Sequence, residues 1–230
     1  LCPIWTYATM NKEPDSHSHE STQSELVHEL RELVSSVRTA DFHERISQGK
    51  PLTDLIQQIR AIREDLSTYQ VDGERMQASL RPQEHFFRPD TGKDYDLGGL
   101  QPQEFFPYSP IIGPLNPIAP PFQFTMENEV MYATGSFDSQ YCGPPEGVHG
   151  GHVAALMDEL LGVTCVMCGH GGYTGTLSVR YLSPTPLDIE LSGKAWVKTI
   201  DGRKAVIVGE LRAEDRVCAE AEGLFIKPRA

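Results

Sequence analysis

Apolar positions along this chain change their period from one stretch to the next, and each change marks a boundary. Residues 10 to 23 are polar, and with the residues before them they read as a disordered tail, 1–23. From Ser24 onward, Leu26, Leu30, Leu33, Val34 and Val37 recur at the spacing of one helix face. After a break at Gly49-Lys50-Pro51, the same spacing returns in Leu55, Ile56, Ile59, Ile62 and Leu66, with Pro51 suited to a helix start. Residues 24–70 are therefore expected to form two amphipathic helices. Each carries a single apolar stripe that must be buried on something larger.

Residues 71–114, and the stretch on to about 125, are dense in proline, glycine and aromatic residues, including Phe86-Phe87, Phe105-Phe106-Pro107 and Pro117 to Phe122. The prolines forbid long regular elements. Polar linkers lack so many aromatics, so an ordered wrap along a domain surface is expected.

Beyond Asn128 the period becomes that of strands. Glu129 to Phe137 reads as one strand, and Ser139 to Val148 as a loop. An apolar helix from His149 to about Cys168 follows, ended by Gly169 and Gly171-Gly172. Four strand-like runs close the chain: Gly175 to Tyr181, Ile189 to Thr199, Lys204 to Ala213 and Val217 to Ile226. Asp201-Gly202 signals a hairpin between the second and third, and Glu214-Asp215-Arg216 a turn between the last two. Strand, long helix, then a meander is an α+β order, and a sheet wrapped around one helix buries such a helix economically.

Composition changes this picture little, and charge more. At 39% hydrophobic and 23% charged residues the chain is ordinary for a soluble protein. A formal net charge of -12 repels a phosphate backbone or an anionic membrane, which disfavours nucleic-acid binding. A sustained run of about 18 apolar residues is not evident, so no membrane span is expected. Leu1 to Met10 lack the features of a signal peptide, and Met10 is the expected start of translation. Five cysteines, odd in number and unevenly spaced, read as reduced thiols and a cytoplasmic location.

The apolar helix carries two carboxylates, Asp158 and Glu159, in its middle. Neighbouring helical positions differ by about 100° in direction, so one of them at most can face a given site. A carboxylate on a buried helix is costly unless it is paired or used. At the helix start, Gly150 and Gly151 leave backbone N–H groups open to a ligand, and such groups favour a developing negative charge. Gly150 and Asp158 lie about 12 Å apart along the axis. One reacting carbon cannot touch both. If both act on it, the acid must come from an antiparallel helix of a second subunit, which requires a two-fold dimer with shared sites.

The run Gly147-Val148-His149-Gly150-Gly151-x-x-Ala154-x-x-x-Asp158-Glu159-x-x-Gly162 resembles the signature of the PaaI-type hotdog thioesterases. Gly143-Pro144-Pro145 before it, Thr174-x-x-Leu177-x-Val179-x-Tyr181-x-x-Pro184-x-Pro186 after it, and Leu224 to Lys227 extend the likeness over roughly residues 115–228. Within the group the chain is similar to relatives of the mammalian thioesterase superfamily members four and five. The resemblance implies a hotdog domain over 115–230 that hydrolyses acyl-CoA, as a homodimer or a tetramer. It implies no cofactor, since coenzyme A belongs to the substrate. Asp158 would activate water or attack directly, and the Gly150 N–H would polarise the thioester carbonyl. His149 would shape that pocket, and Thr174 would hold the water or the carboxylate. Gly151, His152 and Gly143 would contact substrate, with Gly143 standing where some relatives carry Asn.

Thioesters have a good leaving group, so an activated water and one oxyanion donor suffice; no G-x-S-x-G elbow occurs. Arg180, Lys194, Lys198 and Arg203 are candidates to hold coenzyme A. Cys165, Cys168 and His170 superficially resemble a metal cluster but lack a second half-site, and the paired His17 and His19 lack further ligands. Buried structural cysteines and a His170 near the helix C-terminus are expected instead. A hotdog hydratase or dehydratase and a non-catalytic acyl-CoA-binding module are the rival readings. Release of free thiol from an acyl-CoA panel separates them.

Overall fold

The computed structural model describes residues 16–71, 77 and 101–227. Phe86-Phe87, Met10 and the side chains of His17 and His19 lie outside the described residues. Helices α1 (Ser16–Thr39), α2 (Phe42–Ser47), α3 (Leu52–Ser67) and α4 (Pro102–Phe105) precede the sheet. Helix α1 begins at Ser16, so the later part of the expected tail is helical. The short α2 was not legible from the apolar spacing; its start is set by Asp41, which accepts a hydrogen bond from the Glu44 N–H at 2.9 Å.

The two stripes were expected to be buried, and in the single chain they are not. Ile56, Ile59, Ile62 and Leu66 of α3 are each 45–51% exposed, and α3 has no buried residue. On α1 the contact is made through a neighbouring face. Val27 is buried, and Arg31 Nη2 donates to the carbonyls of Gly113 and Asn116 at 2.9 and 2.8 Å.

The domain that follows contains β1 (Gln123–Glu127), β2 (Val130–Gly135), α5 (Gly150–Met167), β3 (Tyr173–Tyr181), β4 (Leu191–Asp201), β5 (Lys204–Ala213) and β6 (Arg216–Ile226). All six strands form one antiparallel sheet in the order β1-β2-β4-β5-β6-β3. The sheet wraps around α5, which is the hotdog fold. Strand β1 was hidden in the Pro-rich wrap. It pairs with β2 across a tight turn in which Asn128 and Glu129 both take positive φ, 49° and 64°. That turn takes Glu129 out of the expected strand 129–137, which also ends earlier, at Gly135. Lys204–Ala213 matches the expected strand, and β3, β4 and β6 shift by two residues or fewer at their starts.

Strand alternation decides which face meets α5. On β5, Ala205, Ile207, Gly209, Leu211 and Ala213 are buried while the residues that alternate with them are not. Gly209 and Gly223 lie on that inner face, where an added Cβ would come within 3.2 and 3.3 Å of Leu161. The missing side chains make a trough that lets α5 approach, and Leu160 and Leu161 fill it with no exposed surface. Burying each such leucine stabilises the fold by about 1.5–3 kcal/mol. Helix α5 ends at Gly169, whose φ of +74° is the left-handed conformation of a helix C-terminus. By length and composition this helix is long and apolar enough to cross a membrane, contrary to the expectation that no such run exists. Its packing against β2 to β6 explains the composition: it is a core helix.

Candidate active site

The start of α5 is shaped by His149. It is the N-cap, and its Nδ1 accepts the Gly151 N–H at 3.0 Å. Gly151, expected to contact substrate, therefore has its N–H engaged by the cap. The Gly150 N–H makes no hydrogen bond among the described residues. Its carbonyl accepts from the Tyr181 hydroxyl at 2.9 Å, which ties the helix start to the end of β3. Gly150 thus keeps one free donor at the positive end of α5.

Gly143 lies against the same point for a steric reason. A Cβ there would sit 2.6 Å from the His149 Cα, and the Gly143 N–H already donates to Gly147 at 2.8 Å. Gly143, expected to contact substrate, thus has its N–H engaged in closing the loop onto His149. An Asn side chain would not fit this backbone.

The two mid-helix carboxylates point different ways, as a 100° step requires. Asp158 is half-buried and faces edge strand β3, where Thr174 Oγ1 donates to its Oδ1 at 3.0 Å. Glu159 faces the segment between α4 and β1, and the Ser109 hydroxyl donates to its Oε1 at 2.6 Å. Ser109 in turn accepts from the N–H groups of Ile111 and Ile112. Burial raises the Glu159 carboxyl above the usual range; the Ser109 hydrogen bond opposes that rise, and the nearby Asp158 charge adds to it. Glu159 anchors the segment around Ser109, and Asp158 is held at the exposed edge strand β3.

His152 lies one turn into α5 with its ring 5.1 Å from Tyr141 and 5.9 Å from His149. Burial, and secondly the His149 charge, lower its pKa, which favours the neutral ring.

Residues 147–220, from the loop before α5 into β6, match the Thioesterase superfamily. The chain carries a thioesterase-superfamily domain. It is 38% identical to the acyl-coenzyme A thioesterase THEM4 of Xenopus laevis over 88 residues, which are 37% of this chain and 39% of that relative. To the human acyl-coenzyme A thioesterase THEM5 it is 29% identical over 109 residues, 46% of this chain and 43% of the relative. The chain spans about two fifths of the length of these curated relatives. A crystal structure of a thioesterase superfamily protein is similar over 89% of this chain and 94% of that one, with a TM-score of 0.69 at 26% identity. That likeness includes the helical arm as well as the sheet.

The four basic candidates for holding coenzyme A have partners within the chain. Arg180, Lys194 and Lys198 point away from α5 and pair with Glu220, Glu210 and Glu222 at 3.7, 3.1 and 2.6 Å. Burial pushes the Glu210 carboxyl up, but hydrogen bonds and charge from Lys194 and Arg212 outweigh it and hold the group below its ordinary value. Arg203 donates to the Lys227 carbonyl at 2.8 Å in the β4–β5 hairpin. Strand parity explains the outcome: these positions alternate with the inward ones.

Cys165 is buried and its thiol is pushed up to about 12, chiefly by burial and then by Cys168. Among the described residues no group of three His, Cys, Asp or Glu could hold a metal. Sequence reading missed Tyr181 as the contact to Gly150, although it stands in the motif. It also missed Ser109, for which no local signal exists.

Proposed function

We propose that the domain hydrolyses acyl-CoA thioesters at a site shared by two subunits. The observation that carries this reading is the pairing of the Asp158–Thr174 contact with a free Gly150 N–H about 12 Å away on the same helix. A single chain holds two halves of a site and no whole one. Strand β3 supplies the means to join them. It pairs with β6 on one side only among the described strands, and its residues are mostly exposed. Nine residues of open edge favour pairing with a second copy. An antiparallel match of β3 to β3 across a two-fold axis sets the two α5 helices antiparallel, and each acid then faces the other subunit's helix start.

The chemistry follows from the residues. Thr174 orients the Asp158 carboxylate, which takes a proton from water as that water attacks the thioester carbon. The Gly150 N–H of the other subunit stabilises the oxyanion. Collapse of the tetrahedral species breaks the C–S bond, and the proton held by Asp158 passes to the leaving sulfur, which releases the thiol and the free acid and restores the carboxylate. No cofactor is needed for these steps, and a cytoplasmic setting is part of the same proposal.

The test is thiol release from an acyl-CoA panel. Asp158→Asn is expected to lower turnover by about 10²–10⁴-fold with an unchanged melting temperature. Gly150→Pro removes the N–H at a helix position that accepts proline. Mixing the two inactive variants under subunit exchange restores roughly a quarter of wild-type activity, because half the dimers are mixed and each has one intact site. Full-length protein that releases no thiol from any acyl-CoA overturns the reading. Activity that never returns on mixing, with exchange verified, overturns the shared site.

A further inference from the structure

Beside the start of α5 lies a cavity of about 330 Å³. One wall is Pro110, Ile111, Ile118 and Pro120, from the strap of residues 107–122 that precedes β1. The other wall is Phe137, Gln140, Tyr141 and His152. We propose that this cavity takes the acyl chain of the thioester and selects linear aliphatic chains of medium length. The proposal rests on the thioesterase reading and adds its substrate class.

Position argues for the acyl chain. His152 lines the cavity two residues after Gly150, the proposed donor to the carbonyl, and its ring neighbours that of His149. An acyl chain leaving a carbonyl held at Gly150 meets His152 first and the apolar walls next. The walls also suit it chemically. No Lys, Arg, Asp or Glu lines the cavity, so the phosphates of coenzyme A have no partner there. The Tyr141 hydroxyl is occupied, donating to the Ile118 carbonyl at 3.1 Å. Burial also favours a neutral His152.

The strap wall is held in place. Arg31 of α1 grips the carbonyls of Gly113 and Asn116, Asn116 Nδ2 donates to the Tyr108 carbonyl at 2.9 Å, and Ser109 is fixed to Glu159. A wall tied at four points is pre-organised, which reduces the ordering cost of binding. Size sets the chain length. At about 30 Å³ for a group of water or methylene size, the cavity holds roughly ten. The strap lies outside residues 147–220, the segment that matches the superfamily.

The experiment measures binding of S-alkyl-CoA thioethers, which cannot be hydrolysed, by calorimetry on the full chain. Affinity is expected to rise about fourfold per methylene, from butyl onward, and to level off near ten carbons. Ile111→Trp fills the cavity and is expected to lower the decyl-to-butyl affinity ratio by at least about tenfold. Ile118→Asp, at a side chain 64% exposed and so of low folding risk, is expected to lower the same ratio by placing a charge on the wall. An unchanged ratio in both folded variants overturns the proposal. So does tighter binding of the phenethyl thioether than of the decyl one, which would assign the cavity to an aromatic acyl group. Chain-length-dependent binding without thiol release from decanoyl-CoA would leave the cavity assigned and overturn the hydrolysis.

Discussion

Helices α3 and α5 carry comparable numbers of large apolar residues, yet one has no buried residue and the other forms the centre of the core. The difference lies in what surrounds them. Helix α5 is apolar around most of its circumference, and the sheet supplies a trough of glycines and alanines that matches it. Helix α3 is apolar on one stripe, and among the described residues nothing buries that stripe. An amphipathic pattern states that a face is fit for burial; it does not state which surface meets it. The contact with the domain is made by a different helix, where Arg31 of α1 holds the strap through the Gly113 and Asn116 carbonyls.

The sharpest way to test the contrast is to cut both helices. Leu160→Ala removes a side chain with no exposed surface and is expected to cost about 2–5 kcal/mol in a denaturant titration. A loss below about 1 kcal/mol would mean that the trough collapses around the smaller side chain.

A smaller effect tests the strap, which joins arm and core at Glu159. Its carboxyl is raised in the folded state, so the folded chain binds that proton more tightly than the unfolded chain. The contribution is complete below the unfolded value and is lost as pH rises through the folded one, with a slope of at most about 1.4 kcal/mol per pH unit. Glu159→Gln keeps the shape and a partner for Ser109 and is expected to flatten the decline. Melting curves from pH 5 to pH 8, roughly the span above an ordinary carboxylate, check this; parallel curves for the two proteins would refute it.

The smallest expected change belongs to α3. Ile59→Ala on its exposed stripe should cost within about 0.5 kcal/mol in dilute monomer. A larger cost that grows with protein concentration would show that a second copy covers the stripe, and would erase the contrast between the helices.

Much of the domain was legible because its signals are local. Alternation gave β5, Asp201-Gly202 gave the β4–β5 hairpin, and all-round apolarity gave α5 as the core helix. Strand β1 was not legible, since five residues beside a run of prolines offer too short a period to read. At the candidate site, the 100° step between neighbours already separated Asp158 from Glu159. Which carboxylate met which element came from packing: Thr174 reached Asp158 across 16 residues and Ser109 reached Glu159 across 50.

By itself, then, the sequence determined the core helix that holds Gly150 and Asp158, the spacing between acid and amide, and the need for a second subunit if both act together. These depend on the fixed rise and rotation of a helix. Tertiary structure alone decided that the Gly151 and Gly143 N–H groups are already engaged, that the basic candidates pair on the far face of the sheet, and that the strap walls a cavity beside His152. Those outcomes depend on contacts between residues far apart in the chain, and no local pattern encodes them.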